Sequence, residues 1–133
     1  MQTFVVRAAN RPGELANLTG ALAAKNVNIL ITALGVNGQG CAGFIASDEK
    51  TAQSVLKDSG FDFETFPALT VKLLDKPGQT AQITQLLGDQ GVNIQCFLPV
   101  NITKDTAIVA IGVDNIETAT KALGDWMVEF TYS

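Results

Sequence analysis

Apolar and polar residues alternate over residues 3–8, with Phe4, Val6 and Ala8 set against Val5 and Arg7. A period of two predicts a half-buried strand. After the turn Asn10-Arg11-Pro12-Gly13 the period lengthens. Leu15, Leu18 and Leu22 are spaced by three and four, which predicts a helix over about residues 13–25 with one apolar stripe. Pro12 suits its first turn, where the missing N–H would have no partner in any case. Asn26 suits its end, because asparagine tolerates the left-handed conformation. A β-branched run over residues 27–35 predicts a second strand, Asn37-Gly38-Gln39-Gly40 a hairpin, and residues 41–46 the returning strand. Ser47 or Asp48 is placed to cap a second helix, residues 49–59, with Ala52, Val55 and Leu56 inward and Gly60 as its stop. Phe61, Phe63 and Phe66 then alternate along a closing strand before Pro67.

The same order is written again. Leu69, Val71 and Leu73 alternate; residues 75–78 make the turn; Ile83 and Leu87 carry the helix stripe; Gly91 is the stop. Strands are predicted over residues 92–98 and 106–113, joined by residues 101–105. Asp114 with Glu117 three residues on has the form of a capping box for a last helix ending near Gly124. Trp126, Val128 and Phe130 alternate along a closing strand. The correspondence is densest where NRPGELANLTGALAAKNVNI, from Asn10, recurs 65 positions on as DKPGQTAQITQLLGDQGVNI, from Asp75. Such self-similarity at a fixed period governs the reading of the whole chain. Each half reads strand, helix, strand, strand, helix, strand. That order, with a hairpin in its middle, predicts an α+β fold of two ferredoxin-like βαββαβ units in tandem, each an antiparallel sheet with its helices on one face. The domains are expected at 1–67 and 68–133, with Pro67 and Ala68 as the linker.

Composition sharpens this. Apolar residues make up 47% of the 133 and charged ones 17%, and mean hydropathy is +0.22. Units of about 65 residues bury little core alone, so such a surface points to association. The net charge of −4 and the scattered nine Lys and Arg argue against nucleic acid. No leader pattern opens the chain and no run of about 18 apolar residues occurs, so a cytoplasmic protein that does not bind membrane is expected. Cys41 and Cys96, each in an apolar stretch, read as buried thiols outside any disulfide. With no histidine, the usual general base and the commonest transition-metal ligand are lacking. No metal, no cofactor and no catalytic residue is expected.

A βαββαβ unit of this size, opening with strand, N/D-x-P-G turn, amphipathic helix and then V-N-I, resembles the ACT domain, the small-molecule sensing module of amino-acid metabolism. The resemblance covers both halves. It implies that ACT units associate side by side, here as a homodimer through sheet pairing. It also implies that a free amino acid or similar small carboxylate is held at the interface between units. In the serine-sensing ACT domain of phosphoglycerate dehydrogenase, the Asn of the turn and the Asn of V-N-I hold the effector. By match these are Asn10 and Asn28, and in the second repeat Asp75 and Asn93. The match breaks two residues before the turn, where that relative's effector-binding His is replaced by Ala8 and Leu73.

The residues themselves suit such a ligand. Each turn presents unpaired backbone N–H groups at the positive end of a helix dipole, at Gly13, Glu14 and Leu15 and again at Gly78, Gln79 and Thr80. Glycine lets a ligand approach the backbone, Asn10 or Asp75 can accept from an α-ammonium, and Arg11 or Lys76 can draw in an anion. Each residue also has a plain structural role: Asn10 and Asp75 as turn residues, Asn28 and Asn93 as strand-entry residues, Arg11 and Lys76 as solvated charges, Trp126 and the phenylalanines as core. Three functions compete. The chain is a non-enzymatic amino-acid-binding regulator, a ligand-independent module that dimerises or docks on an enzyme or regulator, or a small enzyme on a ferredoxin-like scaffold. The last finds no histidine, GxSxG, P-loop, CxxC or acylphosphatase-like Arg loop to support it.

Overall fold

A computed structural model describes residues 1–133, in the order β1 (Gln2–Ala9), α1 (Glu14–Ala23), β2 (Ile29–Val36), β3 (Gln39–Ala46), α2 (Glu49–Asp58), β4 (Asp62–Leu74), α3 (Gln79–Asp89), β5 (Ile94–Ile102), β6 (Thr106–Val113) and α4 (Ile116–Leu123), then a 3-10 turn, Gly124–Trp126. The chain forms two compact units. One holds Phe4–Thr65 with Tyr132–Ser133, the other Met1–Thr3 with Phe66–Thr131.

In the first unit β3 pairs antiparallel with β1 and with β2, so that Phe4 lies opposite Phe44 and Ile31 opposite Phe44 on its other side. The face carrying Phe4, Val6, Ala42, Phe44 and Ala46 is covered by Leu18 and Leu22 of α1 and by Ala52, Val55 and Leu56 of α2. Both helices therefore lie on one face. Asn37 and Gly38, both at positive φ, close the two-residue hairpin that the Asn-Gly pair predicts. Asn26, at φ 57°, ends the run after α1, and Val27 N–H donates to the Leu22 carbonyl.

The second unit repeats the plan. β6 pairs antiparallel with β4 and β5, and Leu69, Val71, Val109, Ile111 and Val113 pack against Ile83 and Leu87 of α3 and Ala119 and Leu123 of α4. Val92 N–H donates to the Leu87 carbonyl, the counterpart of the Val27 bond. No helix of the chain is long and apolar enough to cross a membrane.

Four local expectations are corrected. The closing strand of the first repeat does not stop before Pro67: β4 runs unbroken from Asp62 to Leu74. Proline's fixed φ is compatible with extended backbone, and Ala68 N–H, the next donor, bonds the Met1 carbonyl. Trp126, Val128 and Phe130 form no strand. Instead, Met127 makes an isolated bridge to Val71 and Val128 N–H donates to the Thr70 carbonyl. The cap of α4 is Asn115, whose side chain accepts from Thr118 N–H, because Asp114 is taken up by Asn93 N–H. Cys41 is exposed, since it lies opposite the exposed Arg7 on the face away from the helices; Cys96 is buried, and no disulfide joins them.

At α2 the cap is Asp48, which accepts from Thr51 N–H and from the Thr51 hydroxyl. Those bonds hold its carboxyl below the ordinary carboxylate value. For α4, Asn115→Ala is expected to lower stability by about 1 kcal/mol, read as a fall in the urea midpoint at unchanged slope. Glu117→Ala should have a smaller effect, and a larger loss from Glu117 than from Asn115 would restore the capping box.

Candidate ligand-binding site at the first turn

The Pro-Gly turn is built the same way in both repeats. Asn10 N–H donates to the Gly38 carbonyl at 2.9 Å and Asp75 N–H to the Asp105 carbonyl at 2.8 Å, while Arg11 and Lys76 N–H bond the carbonyls of Ala9 and Leu74. Gly13 and Gly78 stand at the helix N-caps at φ 89° and 94°, with no side-chain cap bond. Only glycine enters that left-handed region without strain. Against expectation, the Glu14 and Gln79 N–H groups are already paired, with the Arg11 and Lys76 carbonyls, because the turn folds back on them; the next donors, at Leu15 and Thr80, are left for another acceptor.

Beside the first of these turns the unit has a cleft of about 180 Å³, the share of liquid taken by about six waters at ~30 Å³ each. Its polar rim is Asn10, Arg11 and Glu14, and its walls include Ala8, Leu15, Leu18, Leu34 and Phe61. Arg11 Nε donates to Glu14 Oε1 at 2.6 Å, with the Glu14 side chain 22% exposed and that of Arg11 70%. A cation and a half-buried anion are thus held side by side at the mouth. Asn10 lies so close over Gly35 that a Cβ built there would sit 2.6 Å from its amide carbon.

Of the residues expected at a first-repeat site, Asn10, Arg11, Glu14 and Leu15 line this cleft and Gly13 adjoins them in the turn. Asn28 does not line it. It is exposed at the entry to β2, with its N–H bonded to the Ser47 hydroxyl and its carbonyl to Ser47 N–H. Asn93 is held in the same way against Asp114. In the second repeat Asp75, Lys76, Gly78 and Thr80 are exposed, while Gln79 folds back so that its Oε1 accepts from Leu74 N–H. Sequence reasoning misses Gly35, which reads only as a strand end, Gly40, which reads only as a hairpin residue, and also Leu34 and Phe61. The signal for the glycines is the register of β3, which sets Gly40 opposite Gly35 on one side and opposite Ala8 on the other. No group of three or more His, Cys, Asp or Glu is placed to hold a metal ion.

A family model described as the ACT domain pair matches residues 1–131. The chain belongs to the ACT domain pair family. Among solved structures, this ACT pair is similar to a protein from Bacteroides thetaiotaomicron at 24% identity and TM-score 0.74, covering 92% of this chain and 85% of that one. It is similar as well to the regulatory subunit of aspartate kinase from Thermus thermophilus, at 19% identity and TM-score 0.63, covering 92% and 89%. The corresponding subunit from Thermus flavus matches at 22% and 0.61, covering 92% and 88%. No curated protein matches the chain. At these identities the structures share the ACT pair's fold, and the first turn, with its cleft, is where this chain's own residues speak to function.

Proposed function

We propose that this ACT pair, with domains 1–67 and 68–133, is a non-enzymatic regulatory protein that binds a free amino acid at the N-x-P-G turn. The observation that carries this reading is the cleft beside Asn10. Oppositely charged Arg11 and Glu14 flank its mouth, matched to the α-carboxylate and α-ammonium of one ligand. The N-terminus of α1 adds donors and a positive dipole end for the carboxylate. Asn28 and Asn93 enter the proposal as residues that a neighbouring ACT unit would present. Leu34 and Val36, 74% and 69% exposed on β2, support a homodimer formed along the sheet, and we place the protein in the cytoplasm. The aspartate kinase subunits are the precedent for a regulatory role in this fold.

Ligand binding shifts the equilibrium only by its differential affinity for two arrangements, so the first requirement is binding itself. In a thermal-shift screen against the twenty amino acids, a ligand at 100 times its Kd is expected to add about 2.7 kcal/mol, seen as a rise in Tm. Asn10→Ala should remove that rise and leave the apo Tm within the equivalent of about 1 kcal/mol. If no amino acid raises Tm at millimolar concentration, the alternative of a ligand-independent docking module takes its place.

A further inference from the structure

We propose that the chain holds a single amino acid, in its first repeat only, and that this ligand's side chain is aliphatic; the inference rests on the amino-acid reading above. It comes from comparing the two sheets row by row. On the helix-facing side of the first unit, the row nearest the turn is Ala8, Gly40 and Gly35, each the register partner of the next, and the row behind it is Val6, Ala42 and Ala33. In the second unit the same rows are Leu73, Ala107 and Ile102, then Val71, Val109 and Pro99. Apart from the valine pair, every position is larger in the second repeat. Leu73 and Val109 are 4% and 2% exposed, so they fill the space that Ala8 and Ala42 leave open.

The turn backbone is bonded alike in both repeats. At the turn the cleft therefore arises from smaller side chains and not from different backbone bonding; the chain path differs only along β5, whose two register shifts have no counterpart in β2. Gln79 adds to the closure by bonding Leu74 N–H, whereas Glu14 in the same position turns to Arg11. Behind Asp75 and Lys76 the place of Ala8 is taken by the buried Leu73, while Ile102 at the far end of the row is exposed.

The chemistry of the first cleft selects the side chain. Its charged and amide groups stand at the rim, where the α-ammonium and α-carboxylate of an amino acid belong. The interior is bounded by Val6, Ala8, Leu18, Ala42 and Phe61. Each methylene buried there is worth about fourfold in Kd. A hydroxyl or charge would leave water for a mostly apolar surface. The volume of about 180 Å³ suits one small molecule.

Isothermal titration of the full chain with leucine, isoleucine, valine, methionine, alanine, serine, lysine and aspartate tests this. The expected result is one ligand per chain, leucine binding about fiftyfold tighter than alanine, and serine, lysine and aspartate at least about tenfold weaker than leucine. Ala8→Leu puts the second repeat's own residue into the first and is expected to weaken the aliphatic ligand at least about tenfold, with far-UV circular dichroism unchanged. Serine, lysine or aspartate binding tightest overturns the aliphatic assignment while leaving the proposed function standing. Two equal sites per chain overturn the single-site assignment in the same way. A folded Ala8→Leu with wild-type affinity removes the cleft from the site. Failure of every amino acid to bind overturns the proposed function and this inference together. The ranking and the stoichiometry come from the wild-type chain, so they stand whether or not the variant folds.

Discussion

Phe44→Ala is expected to cost about 3–5 kcal/mol, several times the cost of losing a helix cap. Phe44 is fully buried, and its ring stacks on Phe4 at a centroid distance of 5.0 Å and a tilt of 9°. The two residues are direct partners in the β1–β3 ladder. Offset contact between the rings adds to simple burial. The same cluster contains Leu22 of α1 and Leu56 of α2, so truncation leaves a hole that sheet and helices must both relax to close. In a unit of this size each kcal/mol is worth about 4–8 °C of Tm, and a fall of more than about 12 °C is expected by calorimetry. Phe44→Leu should cost much less, because the second unit has the aliphatic pair Leu69 and Ile111 in the same register. A loss under about 1 kcal/mol for Phe44→Ala would mean that the ring is not packed as described.

Gly112→Ala is the second large effect, expected at about 2–4 kcal/mol in the other unit. Gly112 lies in β6, and a Cβ built on it falls on the hydroxyl oxygen of Thr3, with the Thr3 Cβ 3.1 Å away. Thr3 is completely buried, and its hydroxyl donates to the Phe66 carbonyl at 3.1 Å. The added methyl therefore forces Thr3 aside and takes its hydroxyl from a part-buried carbonyl, an overpacking cost joined to a lost hydrogen bond. Removing the hydroxyl first should relieve most of the clash. In a Thr3→Ala background, Gly112→Ala is expected to cost at least about 1 kcal/mol less than in the wild type, a coupling that urea unfolding of the four proteins measures. Additive losses would show that the two residues do not meet.

Which parts of this were legible in the chain can be judged from single residues. Pro12-Gly13, Asn26 and Asn37-Gly38 are local devices. Gly13, Asn26, Asn37 and Gly38 take the positive φ that their chemistry tolerates, whereas Pro12, expected in the first helical turn, stands ahead of the Gly13 N-cap because α1 begins at Glu14. The stripes Leu18/Leu22 and Ile83/Leu87 are likewise a property of period, and they are the buried positions of α1 and α3. Pro67 misled because proline is read as a break, while its φ suits a strand equally well. Asp114 misled because its side chain serves a neighbour 21 residues away, which no spacing rule reports.

The candidate site was half legible for the same reason. Asn10, Arg11, Glu14 and Leu15 are consecutive or nearly so, and a motif keeps them together. Gly35 and Gly40 reach them only through strand pairing. The insertion that gives β5 its two irregularities, between Ile94 and Cys96 and between Pro99 and Asn101, shifts the correspondence between the repeats. A fixed offset of 65 then sets Gly35 against Val100, where the register sets it against Ile102.

The amino-acid sequence by itself determined two ACT units of one plan, the turns and helix starts within them, and the apolar faces, because turn chemistry and hydrophobic period act over a few residues. Only the tertiary structure decided that a cleft exists at the first turn, and which side chains leave it open. A cavity is a relation among residues on different strands, set by register and by the volume of each neighbour.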